Sequence, residues 1–240
     1  MLDALKRLFA RSAPPSRSWD EVARWAASRQ ASLKPAREDG GFVIEGRFGA
    51  VPWRLEWGPS QRPYVEGHEL RLRAELPLAG DVQALVLDRM LQASMEKTIF
   101  DQYVEGVQTR IDQQTPPEMR WLVMFPKLAP QDLGSLRDRF AAVAPGRTWL
   151  MRWFTAGLAD ALLAAPLTAG QPLVLMVARS RVTLRTALDR PEPDALQAWL
   201  KVFDVALRTA PRDIAPGPDS GLPSTQPGLF PAGTDDASRG

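Results

Sequence analysis

Residues Val51–Leu78 read VPWRLEWGPSQRPYVEGHELRLRAELPL. Trp53, Leu55 and Trp57 alternate with Arg54 and Glu56, and His68, Leu70, Leu72, Ala74 and Leu76 alternate with Glu69, Arg71, Arg73 and Glu75. A strict period of two sends successive side chains to opposite faces of a strand, so one face is buried and the other meets water. The wet face carries both signs, which lets neighbouring strands set Arg against Glu. Both Trp point with Leu55 into the apolar face and belong to the core. His68 is the sole histidine of the chain and shares that face. It reads as a structural residue, because one imidazole cannot build a multi-histidine metal site.

Working outward, FVIEGRF at 42–48 alternates in the same way. Gly49-Ala50 suits a tight turn, giving three antiparallel strands. Before them, Ser18-Trp19-Asp20-Glu21 forms a capping box that opens a helix to about Gln30, burying Val22, Trp25 and Ala26. Beyond Leu78 the period changes. Residues 81 to about 109 predict a helix through Val82, Leu85, Val86, Met90, Ala93, Ile99, Tyr103 and Val107, and RWLVMF at 120–125 predicts a strand buried on both faces. Ser135–Ala144 and Thr148–Ala165 predict helices, PLVLMVARSRVTLRTAL at 172–188 a hairpin turning near Arg179-Ser180, and Asp194–Thr209 an amphipathic helix. Trp53, Trp57, Leu70, Leu72, Trp121, Leu122, Met124, Trp199 and Phe203 are expected in one core. The expected class is α+β: a mainly antiparallel sheet with helices packed on one face. LRLRAELPLAGDVQALVL and VTLRTALDRPEPDALQAWL echo one another, as two related strand–helix halves would and as a chance match would.

The chain divides into three parts. Residues 1–17 hold a short helix and a Pro break, with Leu2, Leu5, Leu8 and Phe9 on one face and Lys6, Arg7 and Arg11 turned away. Residues 18–210 form a single domain. Residues 211–240 contain six Pro and five Gly without periodicity, the composition of a disordered tail. The N-terminal helix is too short to stand alone, so it is expected to dock on its own domain, on a partner, or weakly on a membrane surface.

Composition narrows the chemistry. The absence of Cys excludes disulfides, thiolate ligands and Cys nucleophiles, and fits a reducing, cytoplasmic setting. Thirty basic against 28 acidic residues is too balanced for a dedicated nucleic-acid binder. Lys6 and Arg7 interrupt the N-terminal apolar run, which argues against a secretory signal. The uncharged run Ala161–Ala178 has the length of a membrane span, but Pro166, Gly170 and Pro172 break it. The phosphate-loop, dinucleotide, zinc-protease and serine-hydrolase motifs are missing. Neither a metal nor a cofactor is expected.

The connection Gly58–Gly67, GPSQRPYVEG, is long for a hairpin and stiffened by Pro59 and Pro63. It presents Gln61, Arg62, Tyr64 and Glu66, residue types able to hydrogen-bond, stack and pair charge. They are the candidate partner-binding residues. PWRLEWGPSQRPYVEGHELRLR and EMRWLVMFPK, with the start MLDALKRLF, resemble a family of uncharacterised hypothetical proteins from proteobacteria. The resemblance covers roughly 1–210 and implies a bacterial cytosolic origin, but carries no activity, cofactor or catalytic residue. The expectation is a non-catalytic protein-interaction module. The alternative is an enzyme whose site is assembled from scattered Asp, Glu and Arg with His68.

Overall fold

The computed structural model describes residues 19–36, 40–78, 81–104 and 115–213. The N-terminal contact residues Leu2, Leu5, Leu8 and Phe9, the Ser18 cap and residues 214–240 lie outside the described residues.

The period-two segments form a meander. Helix α1 (Asp20–Ala27) leads into an edge strand β1 (Ser32–Pro35), then β2 (Phe42–Phe48), β3 (Val51–Pro59) and β4 (His68–Glu75). The chain continues through β5 (Ala84–Asp88), α2 (Arg89–Val104), α3 (Pro117–Met124), one turn α4 (Pro130–Leu133) and β6 (Phe140–Val143). Helix α5 (Arg147–Trp153) passes through a widened turn at Phe154–Leu158 into α6 (Ala159–Leu163). The hairpin β7 (Leu173–Ala178) and β8 (Arg181–Ala187) and the helix α7 (Pro193–Thr209) complete the fold. The eight strands make one sheet in the order β1-β2-β3-β4-β8-β7-β5-β6, every neighbouring pair antiparallel. This is an α+β fold. No helix among the described residues is long and apolar enough to cross a membrane.

One face of the sheet carries the main core. Phe42, Ile44, Trp53, Leu55, Trp57, Leu70, Leu72 and Leu184 project there from the strands and meet Trp149, Trp153, Leu196, Trp199 and Phe203. Helix α7 supplies its residues at the 3.6-residue period. Trp153 Nε1 donates to the Ala206 carbonyl (3.0 Å) and Trp149 Nε1 to that of Pro211 (2.9 Å), pinning α5 to α7. The chain is therefore still docked just past the domain boundary expected at 210, and Arg152 pairs with Asp213. Across the strands, the Trp53 indole lies on Gly46, where a Cβ would stand 2.3 Å from the ring.

On the opposite face the sheet is half covered. Helices α2 and α3 pack over β5, β6 and β7 and bury Leu85, Leu87, Met95, Trp121, Leu122 and Val143 in a second, smaller cluster. The rest of that face, over β2, β3, β4 and β8, is the charged one. The helical layer expected on one face is thus joined by a two-helix layer on the other.

Several local expectations change. Ala84–Asp88 is a strand, buried along its whole length, because β5 lies between β7 and β6 with apolar layers above and below. The helix expected from residue 81 begins only at Arg89, where Asp88 Oδ1 accepts from the amides of Met90 and Leu91. RWLVMF is not a strand: Arg120–Met124 belong to helix α3 and Phe125 follows its end, so Trp121 and Leu122 turn inward to the second cluster while Met124 is 65 % exposed. Residues Phe140–Val143, expected as helix, are β6. The two echoing segments diverge, since β5 follows β4 where α7 follows β8. Helix α1 stops at Ala27, short of Gln30.

Candidate functional site

The charged face owes its character to register. Glu45 faces Arg54 and Glu56 faces Arg71, as the alternation implies. The same register also sets Arg54 opposite Arg73 and Arg71 opposite Arg185. Like charges directly across a ladder repel. Carboxylates between them offset this. Glu56 accepts from Arg54 and Arg73 and pairs with Arg71 at 3.2 Å, and Glu69 pairs with Arg185 at 2.6 Å and with Arg71 at 3.8 Å. Burial would raise the Glu56 carboxyl, but the hydrogen bond from Arg54 and the charges of Arg71 and Arg73 win and hold it below the usual carboxylate range. Burial pulls the Arg71 guanidinium below its ordinary value, despite Glu56 and Glu69, with Arg185 and Arg73 adding to the effect.

Between this face and helix α3 lies a hollow of about 550 Å³. Arg71 and Arg73 come from β4, Arg181 and Arg185 from β8, Arg179 from the β7–β8 turn and Arg120 from α3, against only Glu56 and Asp81 on the acidic side. Trp121, Pro117, Met176 and Ala178 provide an apolar wall. The volume is that of a small-ligand or side-chain site. Several cationic donors remain unsatisfied. Arg71 Nε and Nη1, Arg120 Nε and Arg185 Nε are sealed from solvent without a hydrogen-bond acceptor, as is Glu118 Oε2 without a donor, and the ion pairs of Arg71 Nη1 with Glu69 (3.8 Å) and of Arg185 Nε with Glu118 (3.7 Å) are too long for hydrogen bonds. Buried donors normally find a partner, and each that does not costs roughly 1–3 kcal/mol.

The β7–β8 turn adds a second sign. Arg179 and Ser180 both have positive φ, 51° and 56°. Two-residue hairpin turns of this form favour Asn and Gly, because a Cβ is crowded in the left-handed region. Backbone strain of this kind, about 1–3 kcal/mol per residue, concentrates at functional sites. Here it places an arginine at the mouth of the hollow.

A buried latch closes one side. Glu118, in the first turn of α3, is fully buried. Its Oε1 accepts from Arg62 Nε (3.2 Å) and from the Tyr64 hydroxyl (3.1 Å), and lies 3.7 Å from Arg185 Nε. Burial and the Glu118 charge push the Tyr64 phenol upward, so it stays a neutral donor. Of the four loop residues expected to meet a partner, Arg62 and Tyr64 thus face the protein's own Glu118. Gln61 is exposed and lines the hollow, its backbone N–H donating to Glu69 (3.1 Å). Glu66 is exposed and borders a separate hollow of about 620 Å³ beside Gly170 and Asp189. The loop is braced, with Ser60 N–H donating to the Gly67 carbonyl and Val65 buried.

His68 stacks flat on Trp57, with ring centroids 4.4 Å apart and planes 2° from parallel, while Trp57 Nε1 donates to the Leu188 carbonyl. It lines neither of these hollows, nor a third. The third, of about 680 Å³ at the strand ends, shares Arg73 and Arg181 with the first. Its cations are engaged: Arg54 and Arg181 with Glu45, Glu56 and Glu75, and Arg47 with the Ala50 carbonyl. No cluster of three His, Cys, Asp or Glu suited to a metal occurs among the described residues.

No family model, curated protein or solved structure matches this chain. The arginine hollow was not singled out in the sequence, yet its signal is there. The echoing LRLR and VTLR segments are the two Arg-bearing strands that lie side by side as β4 and β8. Arg120 and Arg179 left no comparable trace, because only the helical turn of α3 and the tight turn bring them to those strands.

Proposed function

We propose that the chain is a non-catalytic interaction module of the bacterial cytoplasm that grips an acidic surface of another protein through the arginine-lined hollow. The observation that carries this reading is the set of buried guanidinium donors without acceptors in a hollow lined by six arginines and two carboxylates. An acidic group entering from a partner would meet the guanidinium groups that line the hollow and relieve the Arg71–Arg185 opposition. The carboxylates an enzyme would need, Glu56, Glu69 and Glu118, are each committed to arginines, and His68 lies on Trp57. The N-terminal helix, with Leu2, Leu5, Leu8 and Phe9, is an accessory contact in this reading, to the partner or weakly to a membrane surface. Nucleic acid is not the partner proposed, because the hollow is local and its aromatic side chain is a wall rather than a row of stacking platforms.

The test is site-specific photo-crosslinking in the native host. A benzoylphenylalanine at Gln61, on the rim of the hollow, should yield a discrete protein adduct. The same group at Glu192, exposed at the start of α7, should not. The adduct should vanish in an Arg120→Glu/Arg179→Glu variant that still folds. An adduct indifferent to that charge reversal, or none at Gln61, would refute the reading.

A further inference from the structure

We infer that the hollow contains a subsite for a phosphoryl group, held between Arg71 and Arg185 on the sheet and Arg120 and Arg179 at the margins. This deepens the reading of the hollow as a recognition surface and rests on it. Arg71 and Arg185 face each other directly across the β4–β8 ladder, so two guanidinium groups share one small area of sheet. Glu69 bridges them only in part, at 2.6 Å to Arg185 and 3.8 Å to Arg71, and leaves buried donors on both without an acceptor. Among the described residues the side chains of Arg120 and Arg179 form neither an ion pair nor a hydrogen bond, though both residues line the hollow. Four guanidinium groups therefore approach one space from a sheet, a helix and a turn. A carboxylate presents two oxygens in one plane. A phosphoryl dianion presents three oxygens in three directions and carries up to twice the charge, which matches donors arriving from separate elements. Arginine suits this role because its planar fork engages phosphate oxygens bidentately. The strained Arg179-Ser180 turn has the same explanation: a turn position that favours Asn or Gly instead carries the arginine.

The phosphoryl group could arrive on a phosphorylated side chain of a partner protein or on a free phosphorylated compound, and the experiment separates them. The full chain is titrated calorimetrically with inorganic pyrophosphate, with a phosphoserine peptide flanked by alanines, and with citrate as a carboxylate-only control. Saturable binding of at least one phosphoryl probe is expected, with citrate at least about tenfold weaker and affinity falling as salt rises. Arg179→Asn should keep or raise the melting temperature, because Asn suits the turn, while weakening the probe roughly tenfold. Arg120→Gln should weaken it comparably. A tighter peptide than pyrophosphate assigns the group to a phosphorylated protein segment, and the reverse assigns it to a free compound; both support the subsite. The subsite is overturned if neither phosphoryl probe saturates, if citrate binds as tightly, or if both variants bind as the parent does. Failure here with an intact, charge-dependent crosslink at Gln61 would remove the phosphoryl subsite and leave the interaction module standing.

Discussion

Glu56 sits among Arg54, Arg71 and Arg73, and its carboxyl is held below the usual range. A group depressed on folding contributes stability above its unfolded value, near pH 4.5, and loses that contribution as pH falls through the folded value. Glu56→Gln should therefore destabilise the protein at pH 7, by roughly 1–3 kcal/mol for lost charge-assisted hydrogen bonds. The difference between parent and variant should shrink once the medium is acid enough to protonate Glu56. Denaturant melts at pH 7 and at pH 3 read this directly; a difference unchanged between them would mean Glu56 is not ionised in the fold. Ser180 offers the opposite case. With φ of 56°, its Cβ adds strain, and its hydroxyl forms no hydrogen bond among the described residues. Ser180→Gly should gain about 0.5–1 kcal/mol, worth about 2–4 °C in a domain of this size. The backbone bond from Leu76 N–H to the Ser180 carbonyl survives that change. An unchanged or lower melting temperature would place the strain elsewhere.

At the scale of elements, the latch on Glu118 joins the β3–β4 loop to the start of α3. Tyr64→Phe removes one of its donors and should cost about 1 kcal/mol. The effect should be local: faster amide exchange at Val65, whose N–H donates to the Arg62 carbonyl, with β4–β8 amides unchanged. Uniform acceleration across the sheet would show that the latch supports the whole fold. The elements also show what periodicity can and cannot decide. Strands β2, β3, β4 and β8 were legible because each has one wet face, so polar and apolar residues alternate. Helix α7 was legible because its apolar face repeats over 17 residues. β5 and β6 were missed because neither has a wet face, and four or five apolar residues satisfy either period. α3 was misread for the same reason, its apolar run being too short to distinguish 2.0 from 3.6. The hollow was only half legible as a consequence. Its sheet arginines belong to readable strands, whereas Arg120 lies on the misread helix, and Arg62 and Tyr64 turned inward because Glu118, buried on that helix, accepts from both.

For the whole molecule, the sheet separates two apolar layers of unequal size. The layer under α2 and α3 rests on ten buried residues, and those helices leave Met90, Phe100, Val123 and Met124 exposed. The other layer holds Trp57, Trp153, Trp199 and Phe203 in full burial. Alternate residues of β5 serve the two layers, Leu85 and Leu87 one, Ala84 and Val86 the other. Opening α2 and α3 would therefore expose one face of β5 while its ladders to β6 and β7 stay paired. Free energies of local opening follow buried apolar contact. Amides of α2 and α3 should exchange through a sub-global opening at lower free energy than those of α7. Met95→Ala should lower that opening by about 2–5 kcal/mol, within the limit set by global unfolding, and leave α7 protection nearly unchanged. Trp199→Ala should instead lower global stability by about 3–5 kcal/mol. Arg120 rides on the weaker layer, so an anion bound in the hollow should raise protection in α3 before it raises protection in α7. Equal exchange free energies in both layers, or a Met95→Ala effect spread evenly over the sheet, would show that the molecule opens as a single unit.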